Sequence, residues 1–183
     1  SESNVAHRYL ETAKKFKADV IIRVTSDCPL VDPKILDQMI NIFKGSNLDY
    51  LTNIKNPLNK YDNYHYPDGF DLEIFSTSCL EKSLRKIRSN YDREHVTTFI
   101  RSSNSFKKKF LKINKDLTNL KLSVDTKENL NDIRKIYKIF YPKINFSFKD
   151  ILTNKKTKIM IEKKLVNKKT KSKNIKKGLK LWS

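Results

Sequence analysis

Two aspartates stand where chemistry on a phosphate would need them. Asp27 lies in Thr25-Ser26-Asp27-Cys28-Pro29-Leu30, at the end of the β-branched run Val20 to Thr25. Asp125 lies in Val124-Asp125-Thr126, at the end of the run Asn119 to Val124. Each carboxylate closes a short apolar stretch and precedes a helix signal. In open α/β sheets that edge is where ligands bind. Taken locally, Asp27 reads equally well as a plain turn residue. Two such carboxylates converge only if their strands are near neighbours in one sheet. If they do, they make a site for one hard cation, with waters and phosphate oxygens completing the shell. That arrangement predicts Mg²⁺-assisted chemistry at phosphorus. Zinc is disfavoured, because no thiolate or imidazole ligand spacing accompanies them.

Two further groups carry charge in a pattern. In Gly69-Phe-Asp-Leu-Glu-Ile-Phe75 the apolar residues Phe70, Leu72 and Ile74 point one way and Asp71 and Glu73 the other. The two carboxylates line a polar pocket or form the wet face of an edge strand; the alternation by itself favours the wet edge. Asp92-Arg93-Glu94-His95 gathers four titratable residues ahead of Val96, Phe99 and Ile100. Its plain structural reading is a helix capped by Asp92, with acids in the first turn and His95 exposed.

The elements that must position these residues follow from periodicity. Val5 to Phe16 has helical spacing, with Val5, Tyr9, Ala13 and Phe16 on one face. Val20 to Thr25 reads as a buried strand of a parallel sheet. Asp32-Pro33 opens a helix to Phe43 with Asp32 as N-cap, and Gly45 stops it. Asp49 to Ile54 is a second strand, and residues 55–68 form a long polar loop. Ser76 caps a helix Thr77–Ile87, Lys107 to Ile113 alternates as an outlying strand, and Thr126 caps a helix Lys127–Phe140. A single helical turn is expected over Phe148–Leu152 and an exposed helix over Lys155–Leu165. The alternation of helix and strand argues for an α/β sheet.

A length of 183 residues suits one domain, and no apolar run approaches a membrane span. The first residues lack an initiator Met and a signal-peptide pattern, which points to a fragment. Cys28 and Cys79 are lone thiols, which fits a reducing cytoplasm. The net charge of +19 invites a nucleic-acid reading, but the 32 Lys outnumber the 7 Arg. Residues 151–183 hold twelve Lys and a single acid, Glu162. The expected organisation is therefore a domain over 1–150 and a lysine-rich extension over 151–183.

Four motifs then occur in order: Thr25-Ser26-Asp27-Cys28-Pro29-Leu30, Pro67-Asp68-Gly69-Phe70-Asp71-Leu72-Glu73-Ile74-Phe75, Asp92-Arg93-Glu94-His95-Val96-Thr97 and Val124-Asp125-Thr126. Together they resemble the SpsF-type spore-coat polysaccharide cytidylyltransferases, relatives of the CMP-Kdo synthetases, over roughly residues 1–140. The resemblance implies a nucleotide-diphospho-sugar transferase fold, an α/β/α sandwich on a mostly parallel sheet. It implies transfer of CMP from CTP to an acidic sugar, a cytoplasmic enzyme and a homodimer. It assigns Asp27 and Asp125 to Mg²⁺, and Asp71, Glu73, Glu94 and His95 to the sugar. The family's first strand and its Gly/Arg/Lys-rich loop, which grips the triphosphate, have no counterpart here, and the chain has only three Gly. The expectation is a domain lacking its first strand or strands. Gly178-Leu-Lys-Leu-Trp-Ser183 resembles the lead-in of class III aminotransferases, which would make the lysine-rich stretch an interdomain linker. Two other readings stand beside this one: a basic nucleic-acid-binding protein, and a catalytically inactive remnant.

Overall fold

The structure is a computed structural model, and it describes residues 4–59, 65–115, 117 and 120–163. Helix α1 spans Val5–Lys15, where the Asn4 side chain caps it by accepting from the His7 N–H. Its buried stripe is Ala6, Leu10 and Ala13, while Phe16 lies 72% exposed. The apolar face is thus rotated by one residue from the expected one. Strand β1 follows at Val20–Arg23. Helix α2 covers Pro33–Lys44 with Asp32 as N-cap. One Asp32 oxygen accepts from the Lys34 N–H at 2.9 Å, the other from the Phe148 N–H at 2.7 Å. The cap therefore also fastens a distant helix. Strand β2 is Tyr50–Thr52, strand β3 is Glu73–Ser76, and helix α3 is Thr77–Lys86 with the expected Ser76 cap. Two short helices, α4 (Asn90–His95) and α5 (Thr98–Ser102), lead to β4 (Lys108–Phe110). Helix α6 (Lys127–Phe140) and helix α7 (Phe148–Thr153) follow, and residues 155–163 are helical.

The four strands form one sheet in the order β1-β3-β2-β4. Three of them run the same way, but β3 lies in the middle and runs against both neighbours. Only β2 and β4 pair in parallel among the described strands. The expected predominance of parallel pairing is therefore replaced by a mixed sheet. The cause sits in Asn53. Its side-chain amide donates to the Phe70 carbonyl at 2.7 Å, and its oxygen accepts from the Leu72 N–H at 2.8 Å. The buried Thr52 hydroxyl adds a bond to the Leu72 carbonyl. These bonds clamp the start of β3 onto the end of β2, so the returning chain pairs antiparallel. The central place of β3 also corrects the wet-edge reading of Asp71 and Glu73.

Side chains alternate across the sheet. Leu51 and Ile74 join a core with α2, α6 and α7; Tyr50 and Phe75 join a second core with α1, α3 and α5. Helices on both faces make the three-layer sandwich. The first core continues past position 150, since Ile151, Thr157 and Ile161 are buried. The lysine-rich stretch beyond residue 163 lies outside the described residues, as does the aminotransferase-like lead-in. β1 is less buried than its composition predicts: Val20 is 44% and Ile22 41% exposed. Its β-branched run marks a strand, but one whose outer pairing side is open among the described residues. No described helix is long and apolar enough to cross a membrane.

Candidate active site

Three backbone segments meet at the end of the sheet. The Val124 N–H donates to the Asp27 carbonyl at 2.8 Å, and the Leu122 N–H donates to the Asp68 carbonyl at 2.7 Å. Residues 120–126 are thus not the ladder strand expected from their alternation; their ladder-type pairing is an isolated bridge between Asp68 and Lys121. Gly69 makes this approach possible. Its φ is +107°, and a Cβ there would lie 2.3 Å from the Leu122 carbonyl carbon. Only a residue without a side chain fits both demands.

This junction bonds the segment of Asp27 to the segment that ends in Asp125, although neither residue lies in a strand of the sheet. Asp125 caps nothing itself; Thr126 does, accepting from the Asn129 N–H. The Lys121 ammonium bonds Asp125 and stands 3.6 Å from Asp68. Hydrogen bonding to Lys121 holds the Asp125 carboxyl below its ordinary range, with help from the Ser123 hydroxyl. Asp27 is half-buried, and the Cys28 thiol donates weakly to it at 3.7 Å. Burial first, then nearby carboxylates, push that thiol up to about 11, so Cys28 is an inert packing group.

Asp71 is the electrostatically perturbed member of the group. Burial raises its carboxyl to about 7, with further upward push from Asp68, Glu73 and Asp27 and a downward pull from Arg101. Asp27, Asp68 and Asp71 thus crowd negative charge at one edge. Glu73, two residues along the same face, is only 1% exposed. One of its oxygens pairs with Arg23 at 2.5 Å, and the other accepts from the Tyr50 hydroxyl at 2.5 Å and from the Thr97 hydroxyl. Arg23 faces Glu73 across the β1–β3 ladder, so register dictates the pair. Glu73 is therefore enclosed behind the edge that Asp71 lines.

The third motif divides in two. Asp92 is not the N-cap of α4; Ser89 is. Asp92 instead accepts from the Ser89 and Thr98 hydroxyls, clipping α4 to α5. Between the two helices Val96 adopts φ 61° and ψ −57°, and the Thr97 N–H reaches the His95 carbonyl at 2.6 Å. This γ-turn is strained for a β-branched residue, by roughly 1–3 kcal/mol. Complete burial of Val96 and the Thr97 bond to Glu73 hold it in place. The turn leaves Glu94 and His95 exposed on α4, where the His95 ring lies 4.2 Å from that of Tyr91. No described contact joins either residue to Asp27, Asp71 or Asp125.

The sequence reading passed over Arg23, Arg101, Asp68, Lys121 and Thr97. An arginine closing an apolar strand was the available signal for Arg23. The others sit beside a named motif or in its flanks and become visible only when the chain is folded.

The donor chemistry here suits a hard cation. Carboxylates crowd the edge, and a lysine ammonium stands between Asp68 and Asp125 as a positive stand-in. Among the described residues, no three His, Cys, Asp or Glu side chains gather as a complete protein-only cage.

Comparison with known proteins bears on the chain as a whole. The family model described as cytidylyltransferase matches residues 1–171. An uncharacterized protein of Methanocaldococcus jannaschii is 31% identical over 129 residues, 69% of this chain and 49% of that protein. The spore coat polysaccharide biosynthesis protein SpsF of Bacillus subtilis is 28% identical over 158 residues, 84% of this chain and 61% of the relative. The structure of a cytidylyltransferase from Leptospira borgpetersenii superposes with a TM-score of 0.76 at 30% identity, covering 87% of this chain and 65% of that one. The chain thus spans about half to two thirds of the length of these relatives.

Proposed function

The chain belongs to the cytidylyltransferase family, and on that premise we propose that it forms the core of an enzyme that transfers CMP from CTP to an acidic sugar for surface polysaccharide biosynthesis. The observation that supports this reading is the backbone bond from Val124 to Asp27, which joins the segments carrying Asp27 and Asp125. Asp27 and Asp125 would hold Mg²⁺, which when bound supplies positive charge beside the reacting phosphate.

The rest of the chemistry falls to the chain's own residues. A sugar hydroxyl attacks the α-phosphorus of CTP; the new O–P bond forms as the bond to the β-phosphate oxygen breaks, and pyrophosphate leaves. Asp71, raised to about 7, is poised to take the hydroxyl proton at neutral pH. Glu73 acts from behind, through Arg23 and Thr97, to fix the polar face on which the sugar lies. Glu94 and His95 reach the sugar only from the exposed rim of α4, so they serve as peripheral contacts. Lys121 must release Asp125 when the cation arrives, and Asp68 remains as its partner.

The test is product formation. The protein, supplied with CTP, Mg²⁺ and a panel of sugar acids, is expected to release pyrophosphate and a CMP-sugar visible by mass spectrometry. Asp27→Asn and Asp125→Asn should each abolish the product while the melting temperature stays near wild type. Full turnover in both variants would sink the assignment.

A further inference from the structure

Arg101 is a half-buried arginine that nothing in the proposed chemistry has used. It stands in the last turn of α5, the helix whose N-cap residue Thr97 carries the bond to Glu73. Its Nε is shut off from solvent and has no hydrogen-bond partner among the described residues. Its guanidinium forms no ion pair among them, although it is close enough to act through space on both Asp71 and Tyr50. Arg23, by contrast, is tied to Glu73, and Arg85 to Glu81. Buried charge is ordinarily paired, and a desolvated donor left unpaired costs about 1–3 kcal/mol. α5 is also anchored so that this cost persists: the Lys108 ammonium donates to the Arg101 carbonyl at 2.8 Å and to the Ser103 carbonyl at 2.6 Å.

We infer that Arg101 receives the carboxylate of the acidic sugar, orienting it beside Asp71. A guanidinium fork matches a planar monoanion bidentately. The inference rests on the acidic-sugar reading, names the residue that makes the site select acids, and gives Asp71 a fixed hydroxyl to meet.

Two measurements test it. The first follows the Arg101 Nε–H resonance, assigned by its loss in Arg101→Lys, during titration with N-acetylneuraminate, 3-deoxy-octulosonate and glucuronate. At least one acid should shift it, the matching methyl ester should not, and inorganic pyrophosphate should not. A shift with pyrophosphate alone would reassign Arg101 to the nucleotide and overturn the inference, as would no shift with any acid. The second compares steady-state constants. Arg101→Gln should raise the KM for the acidic sugar at least tenfold with the KM for CTP unchanged, and Arg101→Lys should recover part of the loss. Equal changes in both KM values, or none, would contradict the assignment. A protein whose Arg101 resonance answers a sugar acid but which makes no CMP-sugar would refute the proposed reaction and leave this site standing.

Discussion

Asp71 and Glu73 show how two carboxylates on one strand face acquire opposite roles. Glu73 has every oxygen engaged by a buried or half-buried donor, and Asp71 has none of these bonds. Removing Glu73 would leave Arg23 desolvated without a counter-charge. Glu73→Ala should therefore destabilise the fold by about 3–5 kcal/mol, read as a lower midpoint of urea unfolding. Asp71 behaves in the other direction. Its folded carboxyl is raised to about 7 while the unfolded one titrates near its ordinary value, so the folded state binds the proton more tightly. Stability should fall as pH rises from about 4 to about 7, and the Asp71→Asn variant should lose that slope. Melting temperatures measured across this window decide it; an identical slope in the variant would refute the assignment of the titration. Sequence alternation was enough to put Asp71 and Glu73 on one face. It could not separate them, because that depends on Arg23, Tyr50 and Thr97 arriving from three other elements.

The clamp around Asn53 and the approach at Gly69 decide topology at the scale of elements. Helix caps were legible in the chain, since Asp32, Ser76 and Thr126 act through neighbours three or fewer residues away. Strand direction was not, because Asn53 acts across seventeen and nineteen residues. Asn53→Ala would orphan a buried carbonyl and a buried N–H, and should cost about 2–4 kcal/mol in denaturant unfolding. Gly69→Ala faces both a left-handed φ and the Leu122 backbone. It should cost about 3 kcal/mol or more and loosen the Asp68–Leu122 bond, read as faster amide exchange at Leu122 and Val124. The broken helix at Val96 is a third local departure. The sequence showed one capped helix there, and a strained turn forms instead because Thr97 gains a buried carboxylate partner.

For the whole molecule, an α/β architecture was legible from alternating periods and the layered sandwich from the resemblance. The exposure of His95 agrees with the plain capped-helix reading of its motif, whereas the γ-turn at Val96 that ends the helix was not legible, because no spacing rule encodes it. The central claim remains that Asp27 and Asp125 serve one cation at one phosphate. Its most direct test is a double-mutant cycle on turnover with CTP, Mg²⁺ and the sugar acid. Groups that act as a unit give strongly non-additive losses. The account predicts that Asp27→Asn and Asp125→Asn each reduce turnover at least a hundredfold and that the double variant is no worse than the poorer single one. Losses that multiply, or turnover preserved in either single variant, would contradict it.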